Sequence, residues 1–478
     1  MCSIIGINGI NVKNHLFTMI EVLKHRGPDA TGVYSNNKIY LNENVHQAEN
    51  SNFMLAHNLL SIIGNNELQP LQSNNLTLIA NAEIYNYETL IKKYNITSLQ
   101  TQSDCEIILK LIEKHYDNNL KEAVLNVISE LDGDYAFCIT DGEDYMVLRD
   151  EVGVKPVYYG STDNYFAFAS ESKALKQINI ENIHSLKPTQ AIYNNKIISI
   201  RQEFIRVEDN TEYSLLKEEL KNNIINAVHK RVNRLDEVAV LFSAGVDSTL
   251  LAVLLKKFGI KTTLYTVGTK NSQDLKFAKK VSEDIQLPLK TRIINEEIIE
   301  NNFIPTLNII EDTNLMKLGV GMTINLTSKL ANKDGHKVIL SGQGADELFT
   351  GYNRYKRKYK NKTKLLDELT HDLNNMYHVN LERDDKATMA NSIELRVPYM
   401  DKQIIKTAIK IPINYMLHSE EDNIRKHILR DIAQELGVPE YIAYRPKKAA
   451  QYGTGIDKII KKKIIKKEKY QKILENYH

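Results

Sequence analysis

The sequence predicts an α+β domain followed by an α/β domain that contains a parallel sheet. In the first two hundred residues, short apolar runs alternate with Gly, Asn and Asp turns, which is typical of strands. In the second half, apolar strands alternate with helical patterns, an order typical of a parallel sheet covered by helices. A polar stretch at 206–213 separates the two patterns. We therefore expect one domain over residues 1–205 and another over residues 206–478.

Local patterns predict the individual elements. Apolar runs favour strands in the first domain, and residues 103–115 have apolar residues at helical spacing, with Ser103 as the predicted N-cap. The Lys-rich segment 457–478 is typical of an amphipathic helix rather than of a nucleic-acid or membrane site. The predicted strands are 3–7, 76–80, 136–139, 145–148, 191–193, 238–242, 263–268 and 338–340.

Composition excludes several classes of protein. The 478 residues carry a formal net charge of only +2, which argues against a nucleic-acid partner. No run reaches the roughly 18 apolar residues of a membrane helix, so no membrane partner is expected. The N-terminus has no secretory signal pattern, which favours a soluble, cytoplasmic protein. The three cysteines include no CxxC pair, which argues against a disulfide framework or a cysteine-based zinc site.

Cys2 is the first candidate catalytic residue. Removal of Met1 would leave a thiol and a free α-amine on one residue. Because an α-amine has a pKa of about 7.7–8.0, it can act as the base for its own thiol. Taken alone, a cysteine at the second position is usually only a buried residue.

Three further segments accompany Cys2. They are His-Arg-Gly-Pro-Asp at 25–29, Asn-Ala-Glu-Ile-Tyr-Asn at 81–86 and Ser-Asp-Cys-Glu at 103–106. An Asn side chain and a neighbouring backbone N–H can stabilise an oxyanion by about 2.7–4 kcal/mol per donor. A carboxylate such as Asp104 can pair with an α-ammonium group. Each segment could by itself be a turn, but four matches in this order are typical of a shared function.

Together these segments resemble the class II glutamine amidotransferases. The resemblance implies an N-terminal-nucleophile hydrolase sandwich (αββα) over residues 1–205, with glutamine hydrolysed at Cys2. It implies that Asn81 and Ala82 form the oxyanion hole. The implied glutamine-binding residues are Leu59, Leu60, Ser61, Ile62, Ile63, Asn81, Ala82, Glu83 and Asp104.

Two loops in the second half are candidates for a nucleotide site. Ser-Ala-Gly-Val-Asp-Ser at 243–248 follows an apolar strand and precedes a helix, which suits a bound phosphate. Ser-Gly-Gln-Gly-Ala-Asp-Glu at 341–347 follows another apolar strand. Both loops would lie at the carboxyl ends of parallel strands, where ligands bind in open α/β sheets. Asp247 and Asp346 are natural oxygen ligands for a Mg²⁺ ion that accompanies a bound phosphate group.

The first of these loops resembles that of the ATP pyrophosphatases, and the whole chain resembles the glutamine-hydrolysing asparagine synthetases. The segments 348–352, 384–401 and 445–448 also carry this resemblance. It implies an adenylating domain over residues 206–478, with ATP and Mg²⁺ as cofactors and Lys447 as a synthetase-site lysine. It also implies that Gln343 handles the intermediate. The implied ATP-binding residues are Leu241, Ser243, Gly245, Asp247, Ser248, Val267, Ser341 and Gly342.

Three positions depart from the family pattern. Leu59 stands where the family has an arginine that pairs with the glutamine carboxylate, and an apolar side chain cannot make that pair. Gln343 replaces a glutamate and cannot act as a base. The segment 312–319 lacks the Thr-Thr-x-Arg sequence that some members have near the aspartate site. The first departure weakens the expectation of glutamine use, and the other two weaken the choice of aspartate.

The sequence therefore predicts an ATP-dependent, glutamine-hydrolysing amidotransferase of the asparagine synthetase family. The expected substrates are glutamine, ATP and aspartate, and a homodimer is left open. An enzyme that amidates or cyclises another carboxylate is one alternative. A catalytically degraded paralogue that binds nucleotide and regulates is another, but it predicts loss of Cys2 or of the phosphate loop, and both are present.

Overall fold

A computed structural model describes residues 2–63, 67–270, 272–446 and 453–477. The chain divides into two compact units, Met1–Glu203 and Phe204–His478. Among the described residues, no helix is both long and apolar enough to span a membrane.

The first unit contains two antiparallel sheets. Their strand orders are β11-β9-β10-β1-β4-β2-β3 and β13-β12-β8-β7-β6-β5. The strands are β1 Ser3–Gly9, β2 Ala30–Ser35, β3 Lys38–Leu41, β4 Phe53–Leu59, β5 Leu71–Ser73, β6 Leu76–Ile84, β7 Gly133–Thr140, β8 Tyr145–Arg149, β9 Tyr158–Ser161, β10 Tyr165–Ala169, β11 His184–Ser185, β12 Gln190–Tyr193 and β13 Lys196–Ser199. The helices are Lys13–Val22, Tyr87–Tyr94, Glu106–His115, Leu120–Ile128 and Ser172–Lys176, with 3₁₀ turns at Lys24–Arg26 and Asn42–Gln47.

The two sheets pack face to face, and helices cover their outer faces. Ile4 of β1 packs with Ile79 of β6 in the cluster between the sheets. The next residue, Ile5, points the other way and packs with Leu16 of the first helix. In the second sheet Phe137 likewise packs against helices on the outer face. Because both faces of each sheet are buried, the strands appear in the sequence as continuous apolar runs. The four layers, helices, sheet, sheet and helices, confirm the predicted αββα sandwich.

The predicted helix at 103–115 begins later than expected. It starts at Glu106, and the preceding Cys105 makes no side-chain cap. Ser103 was therefore wrong as the N-cap, because its hydroxyl accepts a hydrogen bond from the Cys105 amide in a local turn.

The second unit contains a parallel sheet of order β16-β15-β14-β17-β18. Its strands are β14 Glu237–Leu241, β15 Lys261–Thr269, β16 Leu289–Ile294, β17 Val338–Leu340 and β18 Glu394–Arg396. The helices are Tyr213–Lys230, Val246–Lys257, Gln273–Asp284, Glu296–Ile310, Leu315–Lys333, Ala345–Leu348, Asn353–Lys356, Lys362–Met376, Glu382–Met389, Lys402–Ala408, His427–Glu435, Glu440–Ala443, Ile456–Ile459 and Glu468–Glu475. Shorter 3₁₀ or π turns are Tyr377–Leu381, Pro398–Met400, Ile413–Tyr415 and Ile460–Ile464.

The order of the parallel strands creates a switch point. From β14 the chain continues outward through β15 and β16, and it then returns to β17 on the other side of β14. The loops that follow β14 and β17 therefore lie next to each other at the carboxyl ends of these strands. Crevices at such a reversal are where open α/β sheets bind ligands, so the fold brings the two predicted loops together.

The Lys-rich C-terminal segment is helical in parts. Ile460 and Ile464 are fully buried and belong to a cluster that contains Phe303. Its apolar face therefore packs on the core of its own unit.

Candidate active sites

The first candidate site is centred on Cys2 in the first unit. Cys2 lies directly before β1, and only 8% of it is exposed. Its backbone nitrogen donates a hydrogen bond to Asn81 Oδ1 over 3.0 Å. Asn81 belongs to β6 in the other sheet, so the sandwich joins residues that are 79 positions apart. This contact fixes the nitrogen that would become the α-amine after removal of Met1.

The other polar atom of the Asn81 side-chain amide, Nδ2, is available as a hydrogen-bond donor. Among the described residues, the buried Nδ2 has no hydrogen-bond partner. Burying an unpaired N–H costs about 1–3 kcal/mol, so this donor is available to a bound substrate atom. Because Oδ1 of the same amide holds Cys2, the oxyanion that forms when the thiol attacks a carbonyl group is a chemically suitable partner.

Arg26, from the His-Arg-Gly-Pro-Asp segment, anchors the backbone of Cys2. Its Nε donates to the Cys2 carbonyl over 3.2 Å, and its guanidinium pairs with Glu171 over 2.7 Å. Glu171 also receives Lys173 at 2.5 Å and His25 at 3.1 Å. Burial alone would raise the pKa of Glu171, but its interactions with Lys173, His25 and Arg26 hold it well below its usual value. Sequence reasoning missed Glu171, since no local pattern marks it.

Asp29 from the same segment fixes the loop after β4. Its Oδ2 accepts a hydrogen bond from the Ser61 amide at 2.8 Å. Leu59, at the place of the family arginine, packs with Cys2 and Ala30 in a small apolar cluster. Leu59 therefore lies beside the predicted nucleophile. Of the other glutamine-binding residues predicted in this segment, Leu60 is buried, and Ser61, Ile62 and Ile63 are partly exposed.

The remaining predicted residues of this site lie near the end of β6. Asp104 accepts a hydrogen bond from the Ile84 amide at 2.5 Å, which ties it to the strand that carries Ala82 and Glu83. Cys105 is buried, with its thiol 3.8 Å from the Ala82 carbonyl, and burial raises its pKa well above the usual value. Cys105 is therefore a poor nucleophile at neutral pH.

The second candidate site is a cavity of about 430 Å³ in the second unit. It lies where the loops after β14 and β17 meet. Gly342 allows this approach, because a Cβ there would lie 2.9 Å from the Asp247 side chain. The predicted residues that line the cavity are Leu241, Ser243, Asp247, Ser248, Ser341, Gly342, Gln343 and Asp346.

Two other residues predicted to bind nucleotide, Val267 and Gly245, do not line the cavity. A further predicted site residue, Lys447, lies outside the described residues. Val267 packs with Ile294 and Phe303 in a hydrophobic cluster. Gly245 starts the helix Val246–Lys257, and its amide donates to Ser243 Oγ at 3.4 Å. Lys447 falls in the segment 447–452, which the structure does not describe.

Ala244 has a backbone conformation that glycine adopts more readily. Its φ is +54°, in the left-handed region that L-residues other than Asn and Asp seldom adopt. The loop therefore keeps its backbone shape at a cost that glycine would avoid.

A lysine joins the two predicted metal ligands. Lys426 Nζ lies 2.9 and 2.8 Å from the two carboxylate oxygens of Asp247. It lies 2.6 Å from Asp346 Oδ1, and Lys426 is fully buried. The two carboxylates thus converge on a single cationic position. Sequence reasoning missed Lys426, which lies 179 positions after Asp247 and has no motif of its own.

Glu347, the last residue of the loop at 341–347, also lines the cavity, and sequence reasoning gave it no role of its own. Its Oε1 accepts hydrogen bonds from Tyr352 at 2.5 Å and from Asn380 at 2.6 Å. Its Oε2 is buried and has no hydrogen-bond partner among the described residues. Burial, together with the neighbouring Asp346, raises the pKa of Glu347 to about 7.

The segment 312–319 forms the start of a helix that reaches the cavity. Asn314 caps this helix by accepting the amides of Met316 and Lys317. Lys317 pairs with Asp312 at 2.6 Å, and Met316 lines the cavity. Met316 therefore contributes an apolar side chain to the cavity wall at this end.

The Cys2–Asn81 pair in an αββα sandwich, together with a crevice at the carboxyl ends of a parallel sheet, is the arrangement of sites typical of ATP-dependent glutamine amidotransferases. Comparison with known families gives a particular assignment. The family described as Glutamine amidotransferase domain matches residues 1–209. The family described as Asparagine synthase matches residues 219–367 and 358–468. The chain belongs to the asparagine synthase family.

Two relatives agree with this assignment. A protein of Methanocaldococcus jannaschii, provisionally named glutamine-hydrolysing asparagine synthetase 1, is 41% identical, covering 97% of this chain and 95% of its own. Asparagine synthetase 1 of Arabidopsis thaliana, also named glutamine-hydrolysing, is 29% identical, covering 95% and 78%. Glutamine phosphoribosylpyrophosphate amidotransferase from B. subtilis is 16% identical, covering 77% and 79%, with a TM-score of 0.39.

Proposed function

We propose that the protein is a glutamine-hydrolysing asparagine synthetase. It hydrolyses glutamine in a domain over residues 1–205 and uses the ammonia in a synthetase domain over residues 206–478. The overall reaction converts aspartate, glutamine, ATP and water to asparagine, glutamate, AMP and pyrophosphate. The observation that carries the proposal is the pairing of Cys2 with Asn81 in a chain that also has two aspartates in its nucleotide crevice.

In the first domain, the thiol of Cys2 attacks the amide carbon of glutamine. The α-amine freed by removal of Met1 takes the thiol proton and passes it to the departing ammonia. Asn81 Nδ2 and the Ala82 amide donate to the oxyanion, and Asp104 pairs with the α-ammonium of glutamine. Water then hydrolyses the thioester to glutamate. The contact of Arg26 with the Cys2 carbonyl supports this mechanism, since it holds the nucleophile in place.

In the second domain, the crevice binds ATP through Ser243, Ser248 and the backbone near Gly342. The β-carboxylate of aspartate attacks the α-phosphorus and releases pyrophosphate. Ammonia then attacks the carbonyl carbon of the resulting β-aspartyl-AMP and releases AMP. Positive charge near the phosphates, which Lys447 is proposed to supply, favours departure of pyrophosphate.

The crevice also has the donor chemistry for Mg²⁺. Asp247 and Asp346 offer carboxylate oxygens, the ligands that Mg²⁺ prefers, and these oxygens already converge on one cation, the ammonium of Lys426. A bound Mg²⁺ would neutralise charge on the ATP phosphates. We therefore propose Mg²⁺ as the metal cofactor, held by these two residues.

Two further properties are proposals about the protein in the cell. A cytoplasmic location is proposed, which fits an enzyme that acts on small metabolites. A homodimer is the oligomeric form to be tested, by light scattering of the full chain.

A second candidate function is amidation or cyclisation of a different carboxylic acid. Gln343 favours it, because this residue lines the cavity and replaces a glutamate that could act as a base. The apolar contribution of Met316 to the cavity wall also favours a less polar acceptor than aspartate.

Product identification by mass spectrometry separates these functions. The enzyme is incubated with ATP, Mg²⁺, amide-¹⁵N glutamine and a panel of carboxylic acids that includes aspartate. The proposal predicts ¹⁵N-asparagine in amounts equal to AMP and pyrophosphate. Label in the amide of another acid would support the second candidate. Release of AMP and pyrophosphate without any labelled amide would indicate cyclisation, and hydrolysis of glutamine without AMP formation would contradict both functions.

A further inference from the structure

The most unusual feature of the nucleotide crevice is the lysine between its two aspartates. Lys426 contacts both oxygens of Asp247 and one oxygen of Asp346, at distances between 2.6 and 2.9 Å. Lys426 is fully buried, and Asp247 is 7% exposed. Buried carboxylates need a nearby positive charge, and here a side chain of the protein provides it. The ammonium therefore occupies the position in which a divalent ion would meet the same oxygens.

The surrounding residues leave room for this contact. Gly351 lies directly beside it, and a Cβ there would be 1.9 Å from Asp346 Oδ1 and 2.3 Å from Lys426 Cε. Any side chain at this position would displace the pair. The requirement for glycine thus follows from the close approach of the lysine and the aspartate.

The backbone also fixes the lysine. Arg425 and Lys426 have φ values of +57° and +56°, in the left-handed region that is unfavourable for these residue types. Asp422 accepts the amides of Ile424 and Arg425 at 2.9 and 3.0 Å, and Arg430 donates to the Ile424 carbonyl at 2.6 Å. Such conformations persist only where neighbouring contacts impose them. The backbone of the loop is therefore fixed, and this restricts where the Lys426 side chain can place its ammonium group.

Charge determines what this arrangement does to an incoming metal ion. Two carboxylates and one ammonium leave a single net negative charge, so a bare divalent cation would meet a resident positive charge at contact distance. It would also have to break three buried contacts of Lys426. A metal that arrives with a nucleotide brings phosphate oxygens, which can accept hydrogen bonds from the displaced ammonium of Lys426.

We propose that Lys426 is a resident counter-ion that keeps divalent metal off Asp247 and Asp346 until nucleotide is present. Metal binding at this site then depends on nucleotide, and the crevice does not hold a bare ion in advance. This inference rests on the proposed nucleotide site, because Asp247 and Asp346 are assigned there as the metal ligands.

Direct measurement of Mn²⁺ binding tests the proposal without any turnover. Mn²⁺ is titrated into the full-length enzyme, with free Mn²⁺ followed by electron paramagnetic resonance, with and without an α,β-methylene analogue of ATP. For the wild type we expect Mn²⁺ to bind at this site only with the analogue. For Lys426→Met we expect Mn²⁺ alone to bind at least about tenfold more tightly than to the wild type, which corresponds to about 1.4 kcal/mol.

Two further variants make the result specific. Lys386→Met removes another buried lysine of the same unit, which pairs with Glu311 at 3.2 Å, and should leave Mn²⁺ binding as in the wild type. In Lys426→Met/Asp346→Asn the gained affinity should be lost, because one ligand is missing. Thermal unfolding gives a second readout, since Mn²⁺ alone should raise the Tm of Lys426→Met and not that of the wild type.

The wild-type titration is decisive even where Lys426→Met does not fold. Nucleotide-free binding of Mn²⁺ to the wild type that Asp346→Asn abolishes would overturn the proposal. Calorimetry of the analogue with Mn²⁺ separates this result from a failure of the proposed function. If the analogue does not bind, the nucleotide site itself is wrong. If the analogue binds and the wild type also takes up bare Mn²⁺ at Asp346, only the role of Lys426 is wrong.

Discussion

The nitrogen of Cys2 donates a hydrogen bond to Asn81 Oδ1 over 3.0 Å, while Nδ2 of the same amide has no partner among the described residues. One side chain thus offers an anchor for the proposed α-amine and a donor for the proposed oxyanion. One residue thus takes part in two steps of the proposed glutamine hydrolysis, activation of the thiol and stabilisation of the oxyanion. This geometry leads to the first two predictions.

Cys2→Ala is expected to abolish glutamine-dependent synthesis and to leave ammonia-dependent synthesis largely intact, because the thiol serves only the release of ammonia. Product formation with each nitrogen donor is the measurement. Cys105→Ala is the matched control, since this buried thiol has a raised pKa and should not be needed. Glutamine-dependent turnover in Cys2→Ala would show that another residue is the nucleophile.

Asn81→Ala is expected to lower kcat for glutamine hydrolysis by about 10²–10³, the usual loss for one oxyanion donor. The KM for glutamine should change much less, because the oxyanion exists only after attack. Steady-state glutaminase assays give both constants, and ammonia-dependent synthesis serves as the internal control. An equal kcat in the variant and the wild type would exclude Asn81 from the oxyanion hole.

Leu59→Arg tests the missing carboxylate partner. A charge-assisted hydrogen bond is worth about 1.5–3 kcal/mol, so its absence corresponds to roughly 10- to 150-fold weaker glutamine binding. Two candidates for compensation are already engaged, because Arg26 holds Glu171 and the Ser61 amide holds Asp29. We therefore expect a high glutamine KM in the wild type and a lower one in Leu59→Arg.

The constants for ATP and for the acceptor should not change in Leu59→Arg. Leu59→Met, which remains apolar, is the control and should leave the glutamine KM unimproved. A low micromolar KM in the wild type that Leu59→Arg does not improve would mean that another group binds the carboxylate.

Asp247→Asn and Asp346→Asn are each expected to cripple pyrophosphate release with both nitrogen donors, since a charged metal ligand is lost. Glutamine hydrolysis, assayed separately, should remain. Asp367→Asn, an exposed position on the helix Lys362–Met376, is the control. Parental rates of pyrophosphate release in either crevice variant would place the metal elsewhere.

His57 predicts a pH dependence of stability. Its ring is buried and contacts the Ala80 carbonyl at 3.1 Å, and burial lowers its pKa from 6.5 to about 3. Between these values the unfolded chain binds a proton that the folded chain does not, so stability falls as the pH falls below 6.5. Full burial of the ring makes the effect large, about 2 kcal/mol by pH 5.

His57→Gln keeps a donor for the Ala80 carbonyl and removes the titration. Urea unfolding of both proteins at pH 7.5 and pH 5 measures the difference. The wild type should lose about 2 kcal/mol more than the variant between these conditions. Equal losses would mean that His57 is protonated in the folded protein.

The sequence by itself determined the class of fold and the main parts of both sites. Strand and helix periodicity predicted the two kinds of sheet, because each pattern reflects a burial that is repeated every few residues. Cys2 and the loops at 243–248 and 341–347 were also readable, since each carries its chemistry in consecutive residues. At Ser103 the preference of serine for a helix N-cap competes with a local turn. The helix predicted over 103–115 therefore starts three residues before the observed helix Glu106–His115.

Only the tertiary structure decided which distant side chains complete each site. Glu171 reaches Arg26 across 145 positions, and Lys426 reaches Asp247 across 179. A lone Glu or Lys is normally a solvated residue, and nothing in its neighbours along the chain shows that it will be buried against an opposite charge. In the crevice, the position of Lys426 depends on the strand order. This order brings the loops after β14 and β17 together and leaves space for one cation between two carboxylates.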